Sequence, residues 1–346
     1  MADNVNQRIA DALTHRHLRA LRFEAGLRRQ VLEQLAVLES EILASLKAND
    51  PTEFVLLARR RRAIETLMTS EIDPLIQERY ARLAALIDAA LLRLGRQEAT
   101  ALETIVNDVA RQEIIEEQPS DRQLRAGIVN GIFPSAAKPT DMATVGADWW
   151  TRAGTSLSQR IGDSLTTGVA LEESLVDLSR RIKGTSENGF QDGVMSKGRA
   201  DAARLLTTQV TNALGETRAA VATANPARLL LLHQSVLDSR TSLVCLGRNG
   251  LKYTADTHEG IGHDVPYLNG VPYHPSCRSS IVLVLQDGGA VAQESTAQWL
   301  RRQGPAVQDE VLGPTRAQLF RDGKLGPRDL IDSLSGRPLT LEELGV

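Results

Sequence analysis

Val31, Leu35, Leu38, Ile42 and Leu46 recur at spacings of three and four, the period that keeps apolar side chains on one helix face. No breaker interrupts this pattern until Asn49-Asp50-Pro51, which predicts a first helix of roughly 40 residues. A second helix is expected through FVLLARRRRAIETLMTS, after which Asp73-Pro74 reads as an N-cap followed by proline at the first helical position. Ile76, Tyr80, Leu83, Ile87, Ala90 and Leu94 then repeat the period, and Ala101, Ile105 and Val109 resume it after Gly95. At about 1.5 Å per residue, the first and third helices would each span about 60 Å. A compact domain is narrower than that. An elongated arm or a coiled-coil pairing, within the chain or between copies, is therefore expected.

Only 3% of the residues are aromatic, and Leu and Ala carry the apolar content, which favours helix. The 346 residues suggest two or three domains. Residues 1–118 read as a long helical hairpin or bundle, and 119–195 as a region of shorter helices punctuated by Pro119, Pro134 and Pro139. In that region Trp149 and Trp150 are candidates to anchor a small core, EESLVDLSRRI is amphipathic, and SENGFQDG is a loop. A long helix starts near residue 196 and ends at Asn225-Pro226. ARLLLLHQSVLD, with Leu230, Leu232 and Val236 on one parity, then LKYT and SSIVLVL read as strands. Residues 287–346 return to short helices broken by Gly304-Pro305, Gly313-Pro314 and Gly326-Pro327. The expected fold class is mainly α with a small α+β module near the C-terminus, in residues 196–286.

A net charge of −3 gives no whole-chain argument for nucleic acid or an acidic membrane. No apolar run approaches the roughly 20 residues that span a bilayer. The N-terminus lacks the pattern of a secretory signal. Two cysteines make no disulfide framework and point to synthesis in a reducing cytosol.

Both cysteines lie in the strand-containing module, which also holds His258, His263 and the stretch VPYHPSCRSSIVLVL. Zinc takes thiolate and imidazole ligands in a tetrahedron. Cys245, His274 and Cys277 offer three, with His263, Asp264 or Asp238 as the fourth, and the HPSC spacing lets His274 and Cys277 converge from a turn. Two other readings stand beside this one. In the first, Cys245 and Cys277 form a disulfide. In the second, the cysteines are small buried apolar residues and His274 bonds to backbone. A Cys277–His274 nucleophile has its ingredients, but no complete catalytic motif is present, and the zinc-deaminase pattern fails. In DSRT, Asp238 is expected to cap following backbone N–H groups and Arg240 to fork onto a carboxylate, fixing the loop that delivers Cys245. The run Arg59, Arg60, Arg61 and Arg62 reads as a solvated helix face. The alternative is contact with DNA phosphates or an acidic partner, which would be salt-sensitive and without sequence preference.

The order DSRTSLVC, GLKY, PYHPSCRSSIVLVL resembles the phage Mu F-like minor head protein family, the phage head morphogenesis domain, over about residues 196–286. Asp238, Arg240, Thr241, Cys245, Gly250, His274, Pro275, Cys277 and Arg278 carry the match. Ser279 replaces the family's common final cysteine, and Thr207 and Thr208 stand near its usual acidic position. The tail resembles the C-terminal extension of such phage proteins. The resemblance implies a non-enzymatic structural protein of a tailed-phage virion, made in the host cytoplasm. It would act in head assembly at or near the portal vertex, and some members are thought to be ejected with the DNA. The implied partners are the portal, other head proteins, further copies of the chain and packaged DNA. The cofactor expected from the Cys245, His274 and Cys277 set is none or one structural zinc. An enzyme or toxin-like effector using Cys277 and His274 is the competing expectation.

Overall fold

The computed structural model describes residues 4–129, 146–268 and 270–346, so the expected breaks at Pro134 and Pro139 lie outside the described residues. The fold is mainly helical, with one small antiparallel sheet. Helix α1 spans Val5–Ala48, and Val31, Leu35, Leu38, Ile42 and Leu46 are all fully buried, as their spacing requires.

Helix α2 (Leu57–Leu67) does not give way to a separate helix at Asp73-Pro74. A π-helical turn, Met68–Ile72, runs directly into α3 (Asp73–Ala110). Asp73 has helical torsions, and its N–H donates to the carbonyl of Met68, five residues back. Proline cannot donate, and its ring clashes with the carbonyl four residues earlier, a conflict the wider turn relieves. Asp73-Pro74 thus marks a change of helical register rather than a fresh start. Gly95 does not reset the phase either. Leu102 and Val106 are the fully buried residues there, whereas Ala101, Ile105 and Val109 are half-buried. A Cβ on Gly95 would lie 2.5 Å from Ile128 Cδ1, so glycine at this point permits a close approach.

By internal contacts the chain divides into two units, changing over after residues 21, 90, 145 and 207. The linear blocks expected from sequence are therefore interleaved, and α1, α3 and α7 (Val194–Ala224) each contribute to both units. In the unit holding residues 22–90 and 146–207, those three helices pack with α2, α5 (Gly146–Ala170) and α6 (Leu175–Lys183). Their pairing is within the chain: Arg79 on α3 makes two bonds to Glu41 on α1 at 2.8 Å, and Arg199 on α7 reaches Glu39 at 2.7 Å. At 25 residues, α5 is longer than the short helices expected here. Trp150 is fully buried with its ring 6.2 Å from that of Tyr80, while Trp149 is only partly covered.

The other unit contains α4 (Asp121–Ile128), the sheet and the tail. Strands β1 (Leu229–Gln234), β2 (Lys252–Thr254) and β3 (Ser280–Leu285) lie in the order β2-β1-β3, with Leu231 opposite both Tyr253 and Leu283. β1 ends before Val236, which is exposed: Asn249 takes the Ser235 N–H and the chain turns. Beneath the sheet, Glu98 on α3 is fully buried between two arginines. Arg218 on α7 donates to it at 2.9 and 2.8 Å, and Arg16 on α1 at 2.9 Å. Arg218 also donates to the Ile281 carbonyl of β3.

Between β1 and β2 lies the short helix α8 (Leu243–Arg248). The Gly-Pro pairs punctuate the tail as expected, opening α10 (Pro305–Leu312) after α9 (Thr296–Arg302), then α11 (Pro314–Arg321). The third pair opens only a 3₁₀ turn, Pro327–Leu330. Trp299, Leu300, Leu312 and Ala317 form a small core with Leu246 of α8. Among the described residues, no helix is long and apolar enough to cross a membrane.

Candidate metal centre

Two local structures bring the reactive side chains together. The first is DSRTSLVC. Asp238 Oδ1 accepts the Arg240 N–H at 2.9 Å, and the Thr241 hydroxyl donates to the Val236 carbonyl at 2.6 Å, closing the turn after β1. Ser242 then caps α8 by accepting the Cys245 N–H, so Cys245 is delivered by a capped helix rather than by the loop expected. Gly250 follows α8 at φ +87° and donates its N–H to the His233 carbonyl, a left-handed turn that suits glycine.

The second is HPSC. The Cys277 N–H donates to the His274 carbonyl at 3.1 Å, with Pro275 second in the turn and Ser276 third at φ +60°. This β-turn sets His274 and Cys277 side by side. Helix α7 holds it from behind: Thr208 Oγ1 accepts the Ser276 N–H at 3.0 Å, and the Thr211 hydroxyl donates to the Cys277 carbonyl at 3.3 Å.

One ion pair fastens the two halves. Arg278 grips Asp238 with both terminal guanidinium nitrogens, Nη1 and Nη2, at 2.5 and 2.6 Å. Arg240 was the expected fork. Its backbone is committed to the Asp238 turn, however, and its side chain, 79% exposed, reaches no closer than 3.8 Å. The Arg278 guanidinium holds the Asp238 carboxyl down to about 2.

Within this clasp Cys245 Sγ lies 3.7 Å from Cys277 Sγ and 3.3 Å from His274 Nε2. All three donor atoms fall within 4.8 Å of one another, close enough to hold one metal ion. Both cysteines are free, buried thiols. The Cys277 thiol is held well below its usual range by its hydrogen bond with Cys245, and His274 adds to the effect against the cost of burial. Cys245 is pushed up by the same hydrogen bond and by burial. The His274 imidazole is raised, chiefly by its interaction with Cys277. Nδ1 lies 2.9 Å from the Pro275 carbonyl, which can only accept. The ring proton therefore belongs on Nδ1 in the neutral form, and Nε2 faces the sulfurs as a lone pair.

None of the proposed fourth ligands joins the cluster. His263 Nε2 is 2.9 Å from the Lys252 carbonyl, with its ring edge-on to Tyr253, and His258 stacks on Tyr267. Asp264 is exposed, and Asp238 is held by Arg278. A cavity of about 20 Å³ touches Cys245, His274, Ser242, Ser276 and Ser279, room for one water. Ser242, whose hydroxyl sits 2.9 Å from His274 Nε2, had a legible signal, since serine three residues before Cys245 is the spacing of a helix cap. Thr208 and Thr211 had none beyond their place on α7.

The four arginines of α2 belong to the unit of residues 22–90 and 146–207 and are not part of this cluster. Arg60 turns back onto the carbonyls of Phe54 and Thr52, while Arg59, Arg61 and Arg62 are exposed. No family model matches the chain, and no match was found among curated proteins or solved structures.

Proposed function

We propose that the chain is a structural protein of a tailed-phage head, acting in head assembly near the portal vertex, and that its clasp holds one structural zinc. The observation that carries this reading is the closure of the two motif halves by Arg278 on Asp238, which draws Cys245, His274 and Cys277 into one cluster. These are the residues on which the resemblance to Mu F-like head proteins rests. Their spacing suits zinc. Tetrahedral bonds of about 2.3 Å to sulfur and 2.0 Å to nitrogen put two sulfurs about 3.8 Å apart and sulfur and nitrogen about 3.5 Å apart. The observed separations are 3.7 and 3.3 Å. Zinc would cross-link α8 to the HPSC turn, with Cys245 Sγ, Cys277 Sγ and His274 Nε2 as three of its four ligands.

A structural role is favoured over a Cys277 nucleophile by access. Cys277 is fully buried, and the adjoining cavity admits one water, which leaves no room for a substrate. Quantitative mass spectrometry of purified particles tests the reading. The chain should be present at a fixed low copy number, and particles without it would refute a virion role. A Cys277→Ser chain that assembles normally but loses a measurable activity on host extract would favour the effector reading instead.

A further inference from the structure

Zinc takes four ligands, and the clasp supplies three. Among the described residues, no fourth His, Cys, Asp or Glu side chain joins Cys245, His274 and Cys277. A closed structural site fills all four positions with protein side chains. Here a small space stands beside two of the three donors instead. The cavity of about 20 Å³ touches Cys245 and His274 and is walled by Ser242, Ser276 and Ser279. It has the volume of a single water, and a larger ligand would have to displace protein.

The serine hydroxyls around this space have their hydrogens committed and their oxygens in part free. Ser235 gives its one hydroxyl hydrogen to the Cys245 carbonyl at 2.8 Å, so in its 3.1 Å contact with Ser279 it can only accept. Ser279, which is buried, therefore donates to Ser235, and its own oxygen keeps acceptor capacity beside the cavity. Ser242 Oγ accepts the Cys245 N–H at 3.3 Å and lies 2.9 Å from His274 Nε2, to which it donates because the ring proton is on Nδ1. When a metal takes the Nε2 lone pair, that hydrogen can turn to the Cys245 sulfur, with which Ser242 also interacts, and the Ser242 oxygen still has a lone pair to offer. Two acceptor oxygens around a water-sized space suit one occupant in particular. A metal-bound water gives a lone pair to the ion and has two hydrogens to donate, and Ser242 and Ser279 can take one each.

We propose that the fourth ligand of the metal is a water molecule, held in this cavity by Ser242 and Ser279. The inference rests on the zinc reading of the clasp. Electron paramagnetic resonance of the full chain loaded with cobalt(II), in ordinary and in oxygen-17-enriched water, tests it, because serine oxygens do not exchange with solvent. The cobalt signal should show oxygen-17 coupling. Ser279→Ala and Ser242→Ala should each keep that coupling and weaken cobalt binding by about fivefold in competition with a chelator. Ser242 also caps α8, so Ser279→Ala, which leaves the cap intact, is the cleaner of the two. Cobalt bound without oxygen-17 coupling overturns the inference and leaves the zinc reading standing, with a protein group as the fourth ligand. Coupling with unchanged affinity in both serine variants overturns the assignment of the water to these serines. Cobalt that does not bind at all removes the zinc reading, and the inference falls with it.

Discussion

The ionisable residues of the sheet-containing unit differ in what they give to stability, and acid separates them. His233, on β1, is fully buried with neither ring nitrogen hydrogen-bonded, and burial pushes its imidazole down to about 3. The unfolded chain takes up this proton near pH 6.5 and the folded chain does not, so stability is lost as pH falls from about 6.5 toward 3. His233→Leu should flatten melting temperature against pH in that window. At neutral pH it should raise stability by about 1 kcal/mol, because an orphaned buried polar group is removed. Asp238 acts lower. Its carboxyl is held at about 2, so its contribution is full above the usual aspartate range and is lost as pH falls through 2. Arg278→Met should abolish that last acid-sensitive step in thermal melts. It should also loosen metal retention, since the DSRT and HPSC halves lose their fastening. Glu216 on α7 runs the other way. Burial raises its carboxyl to about 7, so it costs stability as pH rises from about 4.5 through 7. Glu216→Gln should therefore raise the melting temperature at pH 8 and leave it nearly unchanged at pH 4.

Among the elements, α1, α3 and α7 are joined through Glu98, buried between Arg16 and Arg218. Removing one member leaves a buried charge unpaired. Glu98→Ala or Arg218→Met should cost about 3–5 kcal/mol in urea unfolding, and Glu98→Leu/Arg218→Met less than the two single losses combined. The helices were legible in the sequence because burial on one face imposes a 3.6-residue period, and Val31 through Leu46 obey it. What was not legible came from tertiary demands on single positions. Pro74 sits in a continuous helical run because the π turn before it widens the helix, and nothing in the period shows that. Glu98 occupies a stripe position between Leu94 and Leu102, a signal for a buried partner, but which arginine answers depends on how α7 lies. The same holds for Asp238. The turn it forms was legible from DSRT, whereas its ion pair is made by Arg278, forty residues on, because Arg240 is bound into the turn and points to solvent.

At the scale of the whole molecule, the two interleaved units are each built from segments far apart in sequence, because three long helices serve both. Linear punctuation by proline and glycine marks the ends of elements well and the limits of units poorly. The module nearest the C-terminus is where sequence motif and geometry agree most closely, since the residues that suggested a metal are the ones the fold gathers. The central claim is that this gathering holds zinc. Its most direct test is elemental analysis of the purified full chain together with melting in chelator. The account predicts close to one zinc per chain, lost in Cys277→Ser, and a melting temperature lowered by more than about 5 °C when zinc is stripped. Well under one zinc per chain, with melting unchanged by chelator, would contradict it.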